Sequence, residues 1–180
     1  MMGWKVTGLL RRQRAWYIVG YFYDTANLHY LDQKANCDRG LRHVGLLEEV
    51  PSKRCECGYY AYFTKEASKE AAHSLGGLLC EVQAWGGIVE HSDVLRAEFM
   101  EIKNILWLRC PFCNSLLTLA IPDFFSAEAR FVCKKGCPLD LSYFRDIRYS
   151  QNLEILSLGE TNGVLRELAQ QRKACLQIEE

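Results

Sequence analysis

Two pairs of cysteines in the second half of the chain have the spacing of a metal site. Two residues separate Cys110 from Cys113, nineteen separate Cys113 from Cys133, and three separate Cys133 from Cys137. Four thiolates at about 2.3 Å from one ion form the tetrahedral shell that structural Zn²⁺ prefers, and each close pair comes from one tight turn. Gly136 suits the second turn, because glycine adopts a positive φ at little cost. The spacing therefore predicts a zinc ribbon in which these four cysteines hold one Zn²⁺.

Two catalytic interpretations of the same cysteines are weaker. The Cys-Pro-Phe-Cys segment at residues 110–113 resembles the redox dithiol of glutaredoxin-like proteins, in which a helix start stabilises the first thiolate, but this leaves the second pair without a role. A zinc deaminase requires His-x-Glu before its cysteines, whereas this chain has Glu90 and His91 in the reverse order. A four-cysteine shell also leaves no open position for water, so we expect structural zinc and a noncatalytic protein.

A second cysteine cluster lies in the N-terminal half. One residue separates Cys55 from Cys57, and both Cys37 and His43 precede them in a long polar connection at residues 32–54. A Zn²⁺ ion held by these four side chains would connect the long loop to the neighbouring strand. The alternative is that Cys55 and Cys57 are packed thiols. The sequence thus predicts one Zn²⁺ at the ribbon and allows a second one here.

Three short segments carry a further pattern. They read Cys-Glu-Cys-Gly-Tyr-Tyr-Ala from Cys55, Trp-Gly-Gly-Ile-Val-Glu-His from Trp85, and Arg-Ala-Glu from Arg96. The pattern resembles that of a family of small bacterial proteins, common in actinobacteria and without an established activity, over about residues 37–106. The chain departs from the family by an inserted stretch at residues 65–75 and by an Asp-Val-Leu before the Arg. The resemblance implies a coherent domain with a set of four residues, Trp85, His91, Arg96 and Glu98.

The polar members of this set support two interpretations. His91 lies before a short turn, and Arg96 and Glu98 lie after it, so a hairpin would make them cross-strand neighbours. An imidazole beside a guanidinium and a carboxylate is a candidate enzyme site or anion site. The other interpretation, which we favour, is an ionic network that stabilises the hairpin, with Trp85 in the core. No serine nucleophile motif, phosphate-binding glycine loop or paired carboxylate signature rises above chance in the sequence.

The elements that must position these residues are mostly strands. Aromatic and β-branched runs predict strands at residues 5–10 and 16–23. A helix is predicted at residues 65–75, because Thr64 can cap its start and two glycines follow its end. Residues 94–108 fit both a strand and a helix period, and we predict a strand for the first half. Further strands are predicted at residues 78–85, 88–91, 115–121 and 129–132, and an amphipathic helix at residues 161–180.

These elements together predict an α+β fold with three parts. Residues 1–106 are predicted to form a β-rich domain that carries the second Cys/His cluster. Residues 107–150 are predicted to form the zinc-ribbon module, and residues 151–180 a C-terminal helical segment. Cys80 on a predicted strand and Cys175 on the predicted helix are expected to be buried as small apolar residues.

Charge and composition narrow the range of partners. Lys plus Arg and Asp plus Glu both number 22, so the zero net charge argues against nonspecific wrapping of nucleic acid. The ribbon region is nevertheless slightly basic and rich in aromatic residues, which favours contact with nucleic acid. The residues expected to make this contact are Arg130, Lys134, Lys135, Arg145 and Arg148. A protein–protein adaptor role for the same ribbon is the alternative.

The expected compartment follows from the N-terminus and the cysteines. The first residues lack the apolar stretch of a secretory signal, and no run is long enough to span a membrane. We therefore expect a cytoplasmic protein without a membrane contact. In that reducing compartment, clustered cysteines are better interpreted as metal ligands than as disulfide partners.

Overall fold

A computed structural model describes residues 1–12, 15–20, 35, 50–53, 57–122, 128–137 and 153–179. The described part is rich in strands and contains two helices, in agreement with an α+β fold. The strands are β1 (Met2–Arg12), β2 (Ala15–Gly20), β3 (Tyr59–Tyr62), β4 (Leu78–Glu90), β5 (Val94–Trp107), β6 (Thr118–Pro122), β7 (Glu128–Val132), β8 (Leu153–Ile155) and β9 (Cys175–Ile178). The helices are α1 (Lys65–Leu75) and α2 (Leu158–Arg172).

Four of the strands form a closed ring. β1 pairs with β4, β4 pairs with β5 along most of its length, β5 pairs with β3, and β3 returns to β1 through Trp4 and Tyr62. All four pairings are antiparallel. A closed ring leaves its members with hydrogen-bonded neighbours on both sides, so it protects strand edges that would otherwise attract other chains.

β1 continues beyond the ring and connects it to the cysteine-bearing strands. Its second half pairs with β2, while Leu9 and Leu10 pair with Ala129 and Glu128 of β7. β7 pairs with β6, and β6 pairs with β8. Hydrogen bonding between strands thus crosses the boundary expected after residue 106, and the division into three domains stays a prediction of the sequence.

The hydrophobic core extends from the ring to α2. Its fully buried members include Leu79, Leu95, Met100 and Ile105 on the ring strands and Leu165 and Leu168 on the helix. α2 begins with a capping box, in which Ser157 Oγ accepts from Glu160 N at 3.2 Å and the Glu160 carboxylate accepts from Ser157 N at 2.7 Å. The cap sets where the helix starts, and the leucine spacing sets which face it buries.

The structure confirms the predicted first helix at both ends. α1 runs from Lys65 to Leu75, and the Thr64 hydroxyl accepts a hydrogen bond from the Ala67 amide. Gly76 follows the helix in the left-handed region with φ 60°, as expected for a glycine C-cap. The cap residues are local signals, so no tertiary contact was needed to identify them.

For the long hairpin, the predicted division of β4 is wrong, and the strand predicted for the first half of residues 94–108 is confirmed. β4 is one strand across Gly86 and Gly87 rather than two strands, because a bulge between Trp85 and Ile88 absorbs the glycines without ending the ladder. Gly86 has a φ of 79°, which marks the bulge. β5 is a strand from Val94 to Trp107, so the strand period holds through its second half as well.

The C-terminal region also differs from its prediction. α2 ends at Arg172, Lys173 adopts a left-handed φ of 52°, and the chain continues as β9, which pairs in parallel with β5. Cys175 is therefore exposed on β9 instead of buried on a helix. Cys80 is fully buried on β4, as predicted. Residues 21–23 of the second predicted strand and most of the connection at residues 32–54 lie outside the described residues.

Candidate metal centre

The four cysteines of the predicted ribbon lie at the ends of three strands. Cys110 and Cys113 occupy the turn between β5 and β6, while Cys133 follows directly after β7 and begins the second turn, which reaches Cys137. Antiparallel pairing of β6 with β7 places the two turns at the same end of the ladder. The sequence places the cysteines in two pairs, and the strand pairing brings the pairs together.

The sulfur positions fit one tetrahedral ion. All four Sγ atoms lie within 4.8 Å of one another, and Cys113 Sγ and Cys133 Sγ are 3.5 Å apart. An ion with four metal–sulfur bonds of about 2.3 Å requires sulfur–sulfur separations of about 3.8 Å. Small shifts of the side chains suffice to reach that value. The group can therefore hold a metal ion.

Hydrogen bonds within each turn fix the backbone that carries the sulfurs. In the first turn, Cys110 N donates to Ser115 O at 2.8 Å, and Asn114 N donates to Cys110 O at 2.9 Å. Asn114 adopts a φ of 56°, a conformation that asparagine tolerates better than most residues. In the second turn, Gly136 N donates to Cys133 O at 2.9 Å, with Gly136 at φ 73°, as the sequence predicts.

The turns also stabilise thiolates. The Ser115 hydroxyl, 2.9 Å from Cys113 Sγ, and the Ser115 backbone amide lower the pKa of Cys113 to about 6. Burial opposes ionisation of Cys133, but hydrogen bonds from the Cys137 and Lys135 amides lower its pKa overall. Hydrogen bonding to Cys113 and Cys133 raises the pKa of Cys137 to about 12. Because metal binds the thiolate form, a divalent cation would displace the protons that these sulfurs still carry.

Ser115 contacts the candidate metal site, and the sequence gives no signal for it. It lies two residues after Cys113, and its hydroxyl is also 3.8 Å from Cys133 Sγ. It therefore contacts one sulfur from each turn. A hydroxyl residue at this spacing is too common for the sequence alone to give it a role.

The second predicted site is only partly described. Cys37, His43 and Cys55 lie outside the described residues, so a Zn²⁺ ion bound there stays a prediction. Cys57 is half-buried, and its carbonyl accepts a hydrogen bond from Arg96 Nη1 at 3.2 Å. Within the described ranges, the four ribbon cysteines are the one group found that could hold a metal ion.

The residues predicted to contact nucleic acid are in different environments. Lys134 and Lys135 are exposed on the second turn. Arg130 is only 2% exposed on β7, and burial lowers its pKa to about 9, so it does not fit the predicted surface. The prediction failed for Arg130 because a charged residue on a short strand was assumed to face solvent. Arg145 and Arg148 lie outside the described residues.

The candidate enzyme residues lie in the hairpin that β4 and β5 form. Arg96 is 2% exposed, and its Nε donates to His91 Nε2 at 3.1 Å. Its guanidinium also lies 5.9 Å from the centre of the Tyr60 ring. The Glu98 carboxylate accepts from Gly87 N at 2.9 Å, at the bulge of β4. The predicted contact between His91 and Arg96 is present, while the enzyme site and the ionic network both stay predictions.

Trp85 does not occupy the core, in contrast to its prediction. It is 41% exposed and stacks on Phe99, with 5.7 Å between ring centres. It continues the alternation of β4, in which Val82 and Ala84 are buried and Gln83 is exposed, so its position in the strand faces away from the core.

Comparisons of the chain with protein-family models, with curated proteins and with solved structures each give no match. Neither helix in the described part of the chain is long and apolar enough to cross a membrane.

Proposed function

We propose that this chain is a noncatalytic recognition protein in which Cys110, Cys113, Cys133 and Cys137 hold one structural Zn²⁺ in a zinc ribbon. The observation that carries the proposal is the convergence of four sulfurs within 4.8 Å from two turns far apart in sequence. A shell of four thiolates favours Zn²⁺ among the common divalent ions. Because four protein ligands fill a tetrahedral shell, no position remains for a reacting water.

We further propose that the outer face of the two turns contacts nucleic acid. This knuckle surface consists of Pro111 and Phe112 on the first turn and Lys134 and Lys135 on the second. All four residues are exposed, and Phe112 is 64% exposed. The converging sulfurs bring the two turns side by side, so an aromatic ring lies near two ammonium groups. Rings stack on bases and ammonium groups neutralise phosphates, which is the combination that nucleic-acid surfaces use.

Metal content tests the structural part of the proposal. Elemental analysis of the purified protein should find at least one Zn²⁺ per chain, and a second would support the Cys37, His43, Cys55 and Cys57 site. Cys133→Ser should lose one equivalent, because three ligands hold the ion far less tightly. Cys175→Ser, which removes an exposed cysteine of β9, should lose none. A wild-type protein without metal would contradict the proposal and favour the redox dithiol interpretation.

Salt dependence tests the nucleic-acid part. Binding to an oligonucleotide should weaken with salt, and the double variant Lys134→Ala/Lys135→Ala should reduce the logarithmic salt slope by about 2. The matched control is Lys103→Ala/Arg166→Ala, which removes the same charge from β5 and α2. Binding without a salt slope, or equal loss in both double variants, would rule out phosphate contacts at the knuckle surface.

The adaptor alternative depends on the exposed aromatic side chain. A largely exposed phenylalanine on a turn is also typical of a residue that inserts into a protein partner. If nucleic acid binding is absent, Phe112→Ala is the variant to compare with wild type in a search for protein partners. The proposed Zn²⁺ site is common to both roles.

A further inference from the structure

Arg109, the residue before the first cysteine, connects the metal turn to two distant parts of the chain. Its carbonyl accepts a hydrogen bond from His73 Nε2 of α1 at 3.0 Å. Its backbone amide donates to Glu179 Oε2 at 2.9 Å, and its Nε donates to the Glu179 carbonyl at 2.8 Å. These three hydrogen bonds connect Arg109 to α1 and to Glu179, both of which lie outside residues 107–150.

The guanidinium of Arg109 also contacts the metal turn itself. Its Nη1 donates to Asn114 O at 3.1 Å. Asn114 is the left-handed residue of that turn, and its amide donates to Cys110 O. The same guanidinium thus bridges the carbonyl of Asn114 in the turn and the carbonyl of Glu179 near the C-terminus. A change in either position alters the geometry of the other.

Glu179 is held as a buried carboxylate. It is 8% exposed, forms an ion pair with Lys69 of α1, and its amide donates to Trp107 O at 3.1 Å. Burial alone would raise the pKa of Glu179, but the Arg109 amide and the Lys69 ammonium lower it overall. Its charge is therefore supported by groups from α1 and from the residue beside Cys110.

Strand β9, which ends just before Glu179, places one side chain, that of Leu176, against the hydrophobic core. Cys175, Gln177 and Ile178 are exposed, and Ile178 is 52% exposed. Main-chain pairing with β5 from Asn104 to Trp107 and the contacts of Glu179 add to this single apolar contact. An element attached in this way lies at the low-stability end of a fold and responds to small changes at its contacts.

We propose that Arg109 and Glu179 are positioning residues of the metal centre, and that metal binding is coupled to docking of β9. This inference rests on the proposed Zn²⁺ site. Groups that hold metal ligands from behind set the orientation of those ligands, and their loss commonly weakens metal affinity by about 10–100-fold. Because coupling between two equilibria is reciprocal, metal must stabilise the docked strand by the same factor by which the docked strand tightens metal binding.

The affinity experiment compares variants in competition with a chromophoric zinc chelator. Glu179→Ala is expected to weaken Zn²⁺ binding about tenfold or more, and Glu179→Gln to recover part of the loss, since its amide oxygen can still accept from Arg109 N. Arg109→Lys should also weaken binding, because it keeps the charge but loses the bridge between the two carbonyls. The control is Glu167→Ala, which removes an exposed carboxylate of α2. The Zn²⁺ affinity of Glu167→Ala should equal that of wild type. If the affinity of Glu179→Ala also equals that of wild type, the proposal is overturned.

Hydrogen exchange of the wild-type protein provides a second readout that needs no variant. Removal of Zn²⁺ should increase amide exchange in the peptide containing residues 174–179 as well as in the two cysteine turns. Unchanged exchange in that peptide, with increased exchange in the turns, would overturn the coupling while leaving the Zn²⁺ site intact. A protein that binds no metal would instead contradict the proposed function, so the two failures are distinguishable.

Discussion

Single side chains that reach main-chain carbonyls connect neighbouring parts of this fold. Lys5 Nζ on β1 donates to Tyr60 O on β3 at 2.8 Å, beside the narrow closure of the strand ring. Trp107 Nε1 donates to Leu117 O at 2.7 Å, across the first cysteine turn. Each contact lets a long side chain lie in the interior while its polar end is satisfied. Such contacts join parts of the chain that are not paired in register at those positions.

Lys5 makes the stability of the protein depend on pH in a defined window. Burial lowers the pKa of Lys5 to about 8 from its ordinary value of 10.5. Between these two values the unfolded chain binds more protons than the folded one, so stability should rise as the pH increases from about 8 to about 10.5. Below pH 8 the full cost of the buried charge is present. The contribution of Lys5 over the window is at most about 3 kcal/mol.

Urea unfolding of wild type and Lys5→Met, at a series of pH values, measures this contribution. Other groups that titrate in the window are common to both proteins and cancel in the difference, except Cys80, whose charge interacts with Lys5, so both proteins should also carry Cys80→Ala. The free energy of unfolding of the protein that keeps Lys5 minus that of the Lys5→Met variant should rise through the window. A flat difference would show that the Lys5 ammonium is as well solvated in the folded protein as in the unfolded chain.

For single residues, the sequence predicted correctly where the contact depends on spacing along the chain. It gave the wrong environment for residues whose position depends on which side of a strand is buried. The four cysteines that could hold a metal ion were predicted as a group, because two tight turns impose the separations within each pair. The contact between His91 and Arg96 followed from a two-residue turn. Arg130 and Trp85 could not be placed, because the side of a strand that faces the core depends on what packs on it. Glu179 gave no signal, since its partners are distant in sequence.

Among the helices and strands, those whose ends depend on adjacent residues were predicted, and those that depend on a distant partner strand were not. α1 was predicted at both ends from its caps, which are properties of adjacent residues. β9 was missed because its strand conformation depends on parallel pairing with β5, whose residues lie about seventy positions earlier. The sequence predicts an interruption between the strands at residues 78–85 and 88–91, where Gly86 lies, although a glycine within a strand is also typical of a bulge. Periodicity cannot distinguish these two outcomes without the partner strand.

Gly86→Ala tests the bulge of β4. A Cβ at this position would lie 2.7 Å from Glu98 Oε2 and 2.9 Å from Phe99 Cδ2, at a φ of 79°. We expect a loss of about 1–3 kcal/mol in the free energy of unfolding, from the strained backbone and the contacts with Glu98 and Phe99. Chemical denaturation of the metal-loaded protein gives this value.

Gly163→Ala is the matched control, because the same substitution in α2 has the opposite expected sign. No described atom lies within 4 Å of the Cβ it would add, and the helix favours alanine over glycine by about 0.5–1 kcal/mol. If both variants lost stability equally, the special geometry of Gly86 would not be the cause.

At the scale of the whole molecule, β1 is the strand through which most other parts are connected. It contributes to the ring through β4 and β3, and it pairs with β2 and with β7 of the cysteine region. The cysteine region has further connections: Phe131 N donates to Gly76 O at 2.8 Å, and Leu119 N donates to Thr161 Oγ1 of α2 at 3.2 Å. Unfolding of the cysteine region would therefore remove contacts from the ring and from both helices.

We accordingly expect the metal-loaded protein to unfold in one transition. Far-UV circular dichroism, tryptophan fluorescence and thiol reactivity should give coincident midpoints, since Trp107 is 4% exposed and lies beside the first cysteine turn. Zn²⁺ at 100 times its dissociation constant adds about 2.7 kcal/mol, which for a chain of this length corresponds to about 5–10 °C in Tm. Chelation should lower the single midpoint by that amount. If thiol reactivity shifts while circular dichroism keeps the original midpoint, the cysteine region unfolds independently, as the three-domain prediction requires.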